Sequence, residues 1–114
     1  GHPVCCAAGL AALTYIQEHR LAEQAEAKGR LFEELLRDHP AVVEIRRSGL
    51  LLAVELGSSE RLYRAMELLK EAGYQSDWFL FCDTAFRISP PLTMTEVQVR
   101  ECCAEIRAGV LDRL

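Results

Sequence analysis

The chain has 114 residues, half of them hydrophobic and 26% charged, which is enough apolar material for the core of one ordinary domain. Its 17 acidic residues outnumber 13 basic ones, and a formal charge of −4 argues against a nucleic-acid partner, which needs a basic face. The apolar runs are short and broken by charge, so no segment reads as spanning a membrane, and no basic-then-apolar leader opens the chain. Gly1-His2-Pro3 without an initiator Met predicts a processed chain or a piece of a longer one.

Pro3 to His19 reads as a helix, since proline is tolerated in a first turn. Its run from Cys5 to Leu13 is small and apolar nearly all round, which asks for burial on several sides and hints at a missing neighbour. A second helix is predicted over Leu21 to Asp38. Leu21, Ala25, Lys28, Leu31, Phe32, Leu35 and Leu36 form one stripe at helical spacing, and His39-Pro40 stops it. Two strands follow, Val42 to Arg47 and Leu50 to Leu56, with Ser48-Gly49 as a two-residue hairpin signal.

Ser58 or Ser59 caps a third helix, Glu60 to Ala72, whose stripe is Leu62, Met66 and Leu69 and whose stop is Gly73. A second hairpin is expected from Trp78–Cys82, a turn at Asp83-Thr84, and a strand over Ala85–Ser89 ended by Pro90-Pro91. Thr95 and Gln98 spell a capping box for the last helix, with Met94 placed to staple against Val99. The apolar face of that helix is Val99, Cys102 or Cys103, Ile106, Val110 and Leu114. The fold class is α+β, a small and mostly antiparallel sheet with helices packed on it.

Five cysteines, four of them in the adjacent pairs Cys5-Cys6 and Cys102-Cys103, do not make a disulfide framework. They read as small core residues in a reducing, cytoplasmic setting. His2, His19 and His39 do not fall at ligand spacing with these thiols, so no metal site is expected. The sequence carries no phosphate loop, Ser elbow or HExxH motif, and no catalytic residue is assigned. Arg87 stands apart on physical grounds. Alternation in Phe86-Arg87-Ile88 sends the apolar pair to the core and the guanidinium to the other face. There, held by the following prolines, it suits a bidentate grip on a carboxylate.

Three blocks carry a resemblance: GHPVCCAAGLAAL, RRSGLLLAVEL and FRISPPLTMTE. The first resembles a Gly-His-Pro entry into an alanine-rich helix, the second an Arg-x-x-Gly-Leu hairpin, and the third an Arg-x-x-Pro-Pro-Leu-x-x-Thr segment before a last helix. In that order over the whole chain they resemble the C-terminal domain of the class III pyridoxal-phosphate-dependent aminotransferases, which include the ornithine and acetylornithine enzymes.

The resemblance implies a fold-type I homodimer that moves an amino group from an amino acid or ω-amine to a 2-oxo acid. Residues 1–114 would be its single C-terminal domain, and the cofactor-binding large domain would lie outside the chain. Arg87 takes the position of the family's substrate-carboxylate arginine. Gly1 and His2 match a motif adjoining a cofactor-phosphate-contacting Thr that lies before the chain begins. The family's Schiff-base lysine also lies upstream. Lys28 and Lys70 are both expected to lack the desolvated pocket a reactive amine needs, so the isolated chain is expected to be inactive and not to bind pyridoxal phosphate. The alternative reading is a stand-alone α+β module for small-ligand binding or dimerisation.

Overall fold

The structure, a computed structural model, describes residues 1–114. Helix α1 (Pro3–Glu18) starts on the proline and runs to His19, where Arg20 breaks it in a left-handed conformation (φ 51°). Helix α2 (Leu21–Leu36) then packs mainly against the last helix of the domain. Strands β1 (Glu44–Ser48) and β2 (Leu51–Glu55) follow, then helix α3 (Ser59–Glu71). Short β3 (Trp78–Phe79) and longer β4 (Cys82–Ile88) lead to helix α4 (Glu96–Gly109) and a final 3-10 turn, Leu111–Arg113. The four strands form one antiparallel sheet in the order β1-β2-β4-β3.

The core lies between one face of that sheet and the helices. Leu52, Val54, Phe86 and Ile88 project into it from β2 and β4 and meet Phe32, Leu36, Leu62, Leu68, Val99 and Ile106. The stripes expected on α2, α3 and α4 are these same faces, although Met66 is only half-buried while Ala65 and Leu68 are fully covered. The start signals act as read. Ser58 Oγ accepts the Arg61 N–H at 3.3 Å, and Thr95 with Gln98 forms a complete capping box. Gly73, at φ 84°, ends α3 in the left-handed conformation that costs glycine no side-chain clash.

Two turns differ from their expected places. Ser48 pairs with Leu51, so the first turn is Gly49-Leu50, one residue later than the Ser48-Gly49 signal. The second hairpin turns at Leu80-Phe81 and not at Asp83-Thr84, because Asp83 and Thr84 belong to β4. The Thr84 carbonyl accepts the Leu56 N–H at 2.9 Å, which extends the β2–β4 ladder beyond Glu55. Pairing with a long central strand outweighs the local turn preference of Asp and Thr. It leaves Leu80 and Phe81 at the tip, 86% and 96% exposed.

The cysteines are also corrected. Cys103 is buried, Cys82 and Cys102 are half-buried, and Cys5 and Cys6 are exposed, so only Cys103 is a full core residue. Cys103 sits in an apolar setting that pushes its thiol up to about 12. The two exposed cysteines lie on α1, which leans on α2 and has no buried residue at all.

Candidate functional site: the outer face of the sheet

Alternation along β4 places Arg87 on the face opposite the core, as expected from Phe86 and Ile88. The register sets Arg87 opposite Ala53, and Ala53 in turn opposite Arg46. Two guanidinium groups therefore flank one small residue across three strands. Ala53 and Ala85, both buried, keep this face low beside Arg87.

The two arginines are held very differently. Arg46 donates to Glu44 at 3.0 Å and to Glu55 at 3.1 Å. The Glu55 hydrogen bond leads in raising the Arg46 pKa. Burial works to raise the Glu55 carboxyl. Hydrogen bonds from the Thr84 hydroxyl, the Gly57 N–H and Arg46 outweigh that and hold it below its ordinary value. Arg47, on the core side of β1, is likewise held by two carboxylates, Glu33 at 2.6 Å and Glu26 at 2.7 Å. Arg87 instead meets a single carboxylate, Asp77, at 3.4 Å, although its side chain is slightly less exposed than that of Arg46, 39% against 45%.

The main chain of Arg87 is firmly fixed while its side chain is not. Its N–H donates to the Asp77 carbonyl at 2.8 Å, and its carbonyl accepts the Ser76 hydroxyl at 2.6 Å. A guanidinium on a rigid strand with most of its five donors unused can accept a planar carboxylate side-on. Asp77 escaped the sequence reading, although it stands ten residues before Arg87 on the opposing side of a hairpin. A turn at Asp83-Thr84 would have set Leu80 opposite Arg87; with the turn at Leu80-Phe81, Asp77 takes that place.

Gly1 and His2 are exposed at the free end of α1 and are not brought together with Arg87. His2 caps the helix by backbone only, without a side-chain hydrogen bond. The lysine expectation needs correction at one position. Lys70 is exposed, but Lys28 is 7% exposed, and its Nζ donates to the Leu92 carbonyl at 2.9 Å. Lys28 is thus desolvated and spent on tying α2 to the segment after Pro90-Pro91. Neither side chain is placed as a free, desolvated amine: Lys28 is committed to a backbone carbonyl and Lys70 faces solvent.

The sequence profile of the family described as aminotransferase class-III matches residues 1–110. Ornithine aminotransferase 2 of Staphylococcus aureus (strain Mu50) is 38% identical over 113 residues, which cover 94% of this chain and 26% of that protein. An ornithine aminotransferase of Geobacillus sp. (strain WCH70) is 39% identical over 105 residues, 87% of this chain and 24% of the relative. Among solved structures, the ornithine aminotransferase of Toxoplasma gondii ME49 superposes with a TM-score of 0.84 at 32% identity, over 97% of this chain and 27% of its own. Acetylornithine aminotransferase of Elizabethkingia anophelis gives 0.82 at 30% identity, over 96% of this chain and 30% of its own. The chain spans about a quarter of the length of the curated relatives it matches. It belongs to the class III aminotransferases.

Proposed function

We propose that this chain is the C-terminal domain of a pyridoxal-phosphate-dependent aminotransferase, and that Arg87 grips the carboxylate of its substrate. The parent enzyme moves an amino group from an amino acid or ω-amine to a 2-oxo acid. The observation that carries the reading is the contrast on the outer face: Arg46 is engaged by two carboxylates at 3.0 and 3.1 Å, while Arg87 is fixed by its backbone and met by one carboxylate at 3.4 Å. Of the two, Arg87 has the fewer and longer carboxylate contacts, and so the more capacity left for an external anion.

The cofactor belongs to the part of the parent outside these residues, since Lys28 is committed to Leu92 and Lys70 faces solvent. That part also covers α1, whose Val4, Leu10 and Leu13 stay at least half exposed here. A homodimer in the cytoplasm completes the proposal. Five cysteines without a disulfide among them support a reducing compartment.

The test is steady-state kinetics of Arg87→Lys and Arg87→Ala in the full-length enzyme. Lysine loses the fork geometry and alanine loses the charge as well. Both should lower kcat/KM for carboxylate substrates by roughly ten- to a thousandfold, with cofactor occupancy unchanged by absorbance. Wild-type kinetics on a carboxylate substrate in Arg87→Ala would reduce Arg87 to a surface residue.

A further inference from the structure

We propose that Asp77 sets how tightly Arg87 holds a substrate carboxylate, acting as a resident counter-ion with which the incoming group must share the guanidinium. The proposal rests on the reading of Arg87 given above and adds a specificity-determining residue to that site.

The Asp77 carboxylate is anchored by its own neighbour. Its Oδ1 accepts the Trp78 N–H at 2.9 Å, which leaves Oδ2 to face Arg87 Nη2 at 3.4 Å. A substrate therefore does not need to expel Asp77. It takes the remaining donors of the guanidinium and sits beside a fixed negative charge. Both partners are partly solvated, at 39% and 54% side-chain exposure, so the sharing occurs in a moderately screened setting.

Two effects of Asp77 oppose each other. Orienting Arg87 would make it helpful, and its charge makes it a competitor. The orienting effect is the smaller. A single long contact between exposed groups contributes little, and Arg87 is positioned through its main chain by the Asp77 carbonyl and the Ser76 hydroxyl, both independent of the carboxylate charge. The competing effect acts between two carboxylates on one guanidinium and is worth about three- to tenfold in affinity at this degree of screening. Asp77 thus keeps carboxylate binding weak and readily reversible, and has no such effect on a substrate that presents no carboxylate here.

Asp77→Asn in the full-length enzyme isolates the charge, since the amide oxygen still accepts the Trp78 N–H. The expected result is a KM for carboxylate substrates lowered about three- to tenfold, with kcat little changed. Inhibition by propionate should tighten by a similar factor, the KM of a carboxylate-free amine should stay constant, and the differences should shrink in about 0.5 M salt. Asp77→Glu, which restores the charge, should return both constants toward wild type. Unchanged carboxylate KM and propionate inhibition in Asp77→Asn, or an equal shift for the carboxylate-free amine, would overturn the proposal. Arg87→Ala separates the two failures. If it weakens carboxylate substrates while Asp77→Asn changes nothing, Asp77 alone is misassigned; if it changes nothing, the reading of Arg87 fails first.

Discussion

Gly29 lies in the middle of α2, where alanine would ordinarily be the better residue by about 1 kcal/mol. The structure reverses that preference. A Cβ on Gly29 would stand 1.8 Å from the Gly49 carbonyl oxygen and 2.7 Å from its carbon, where ordinary contact begins at 3.4 Å. Both atoms are backbone of the β1–β2 turn, and Gly49 is itself in the left-handed conformation (φ 55°), so no side-chain rotation can relieve the overlap. Helix and turn would have to part by about 1.6 Å, opening the contact beside Phe32 and Leu50. Overpacking of this kind costs about 1–3 kcal/mol, and a backbone-to-backbone clash belongs at or above the upper end. After the helix-propensity gain, Gly29→Ala should destabilise by about 2 kcal/mol, a fall in Tm of roughly 10 °C for a domain of this size. Thermal unfolding followed by circular dichroism measures it. Gly9→Ala in α1 is the control, because nothing lies within 4 Å of a Cβ there, and it should be neutral or slightly stabilising. A Gly29→Ala variant at least as stable as wild type would refute the close approach of α2 to the turn.

Two further outcomes are expected. His39 is buried between the Ala41 N–H, which donates to Nδ1 at 3.1 Å, and Asp112, 2.9 Å from Nε2. Nδ1 must be the unprotonated nitrogen, and Nε2–H donates to Asp112. His39→Ala should cost about 2 kcal/mol by leaving the Ala41 N–H without a partner, and His39→Asn, whose amide oxygen can take the place of Nδ1, should recover part of that in the urea midpoint. Equal loss in both variants would mean that packing and not the acceptor matters. Glu55 gives an acid dependence: its folded pKa lies below the ordinary 4.5, so the unfolded state binds the proton more readily. Its contribution to stability is present above 4.5 and is lost as pH falls through the lower folded value. Stability of Glu55→Gln should therefore depend less on pH below 4.5 than that of wild type, and identical acid profiles would rule out this role for Glu55.

Local chemistry settled much of this protein in advance. Proline at the start of α1, the Thr95–Gln98 capping box, the stripe of α2 and the alternation around Arg87 depend on residues within a few positions of one another, and each is found as the sequence predicts. Partners distant in sequence are another matter. The turn preference of Asp83-Thr84 gave way to a seven-residue β4, because the ladder with β2 uses those residues. That shift brought Asp77 to Arg87, a pairing that the turn-based register hid. Cys5 and Cys6 look like core residues by composition, but nothing in these residues covers α1. Lys28 looks like one more position on a helix until the fold brings the Leu92 carbonyl to it across 64 residues, and Gly29 is indispensable only because Gly49 arrives against it. Backbone propensity and side-chain periodicity are short-range properties and can be read along the chain. Burial, register and counter-ions depend on which distant segments share the space around a residue, and only the packed sheet and helices determine that.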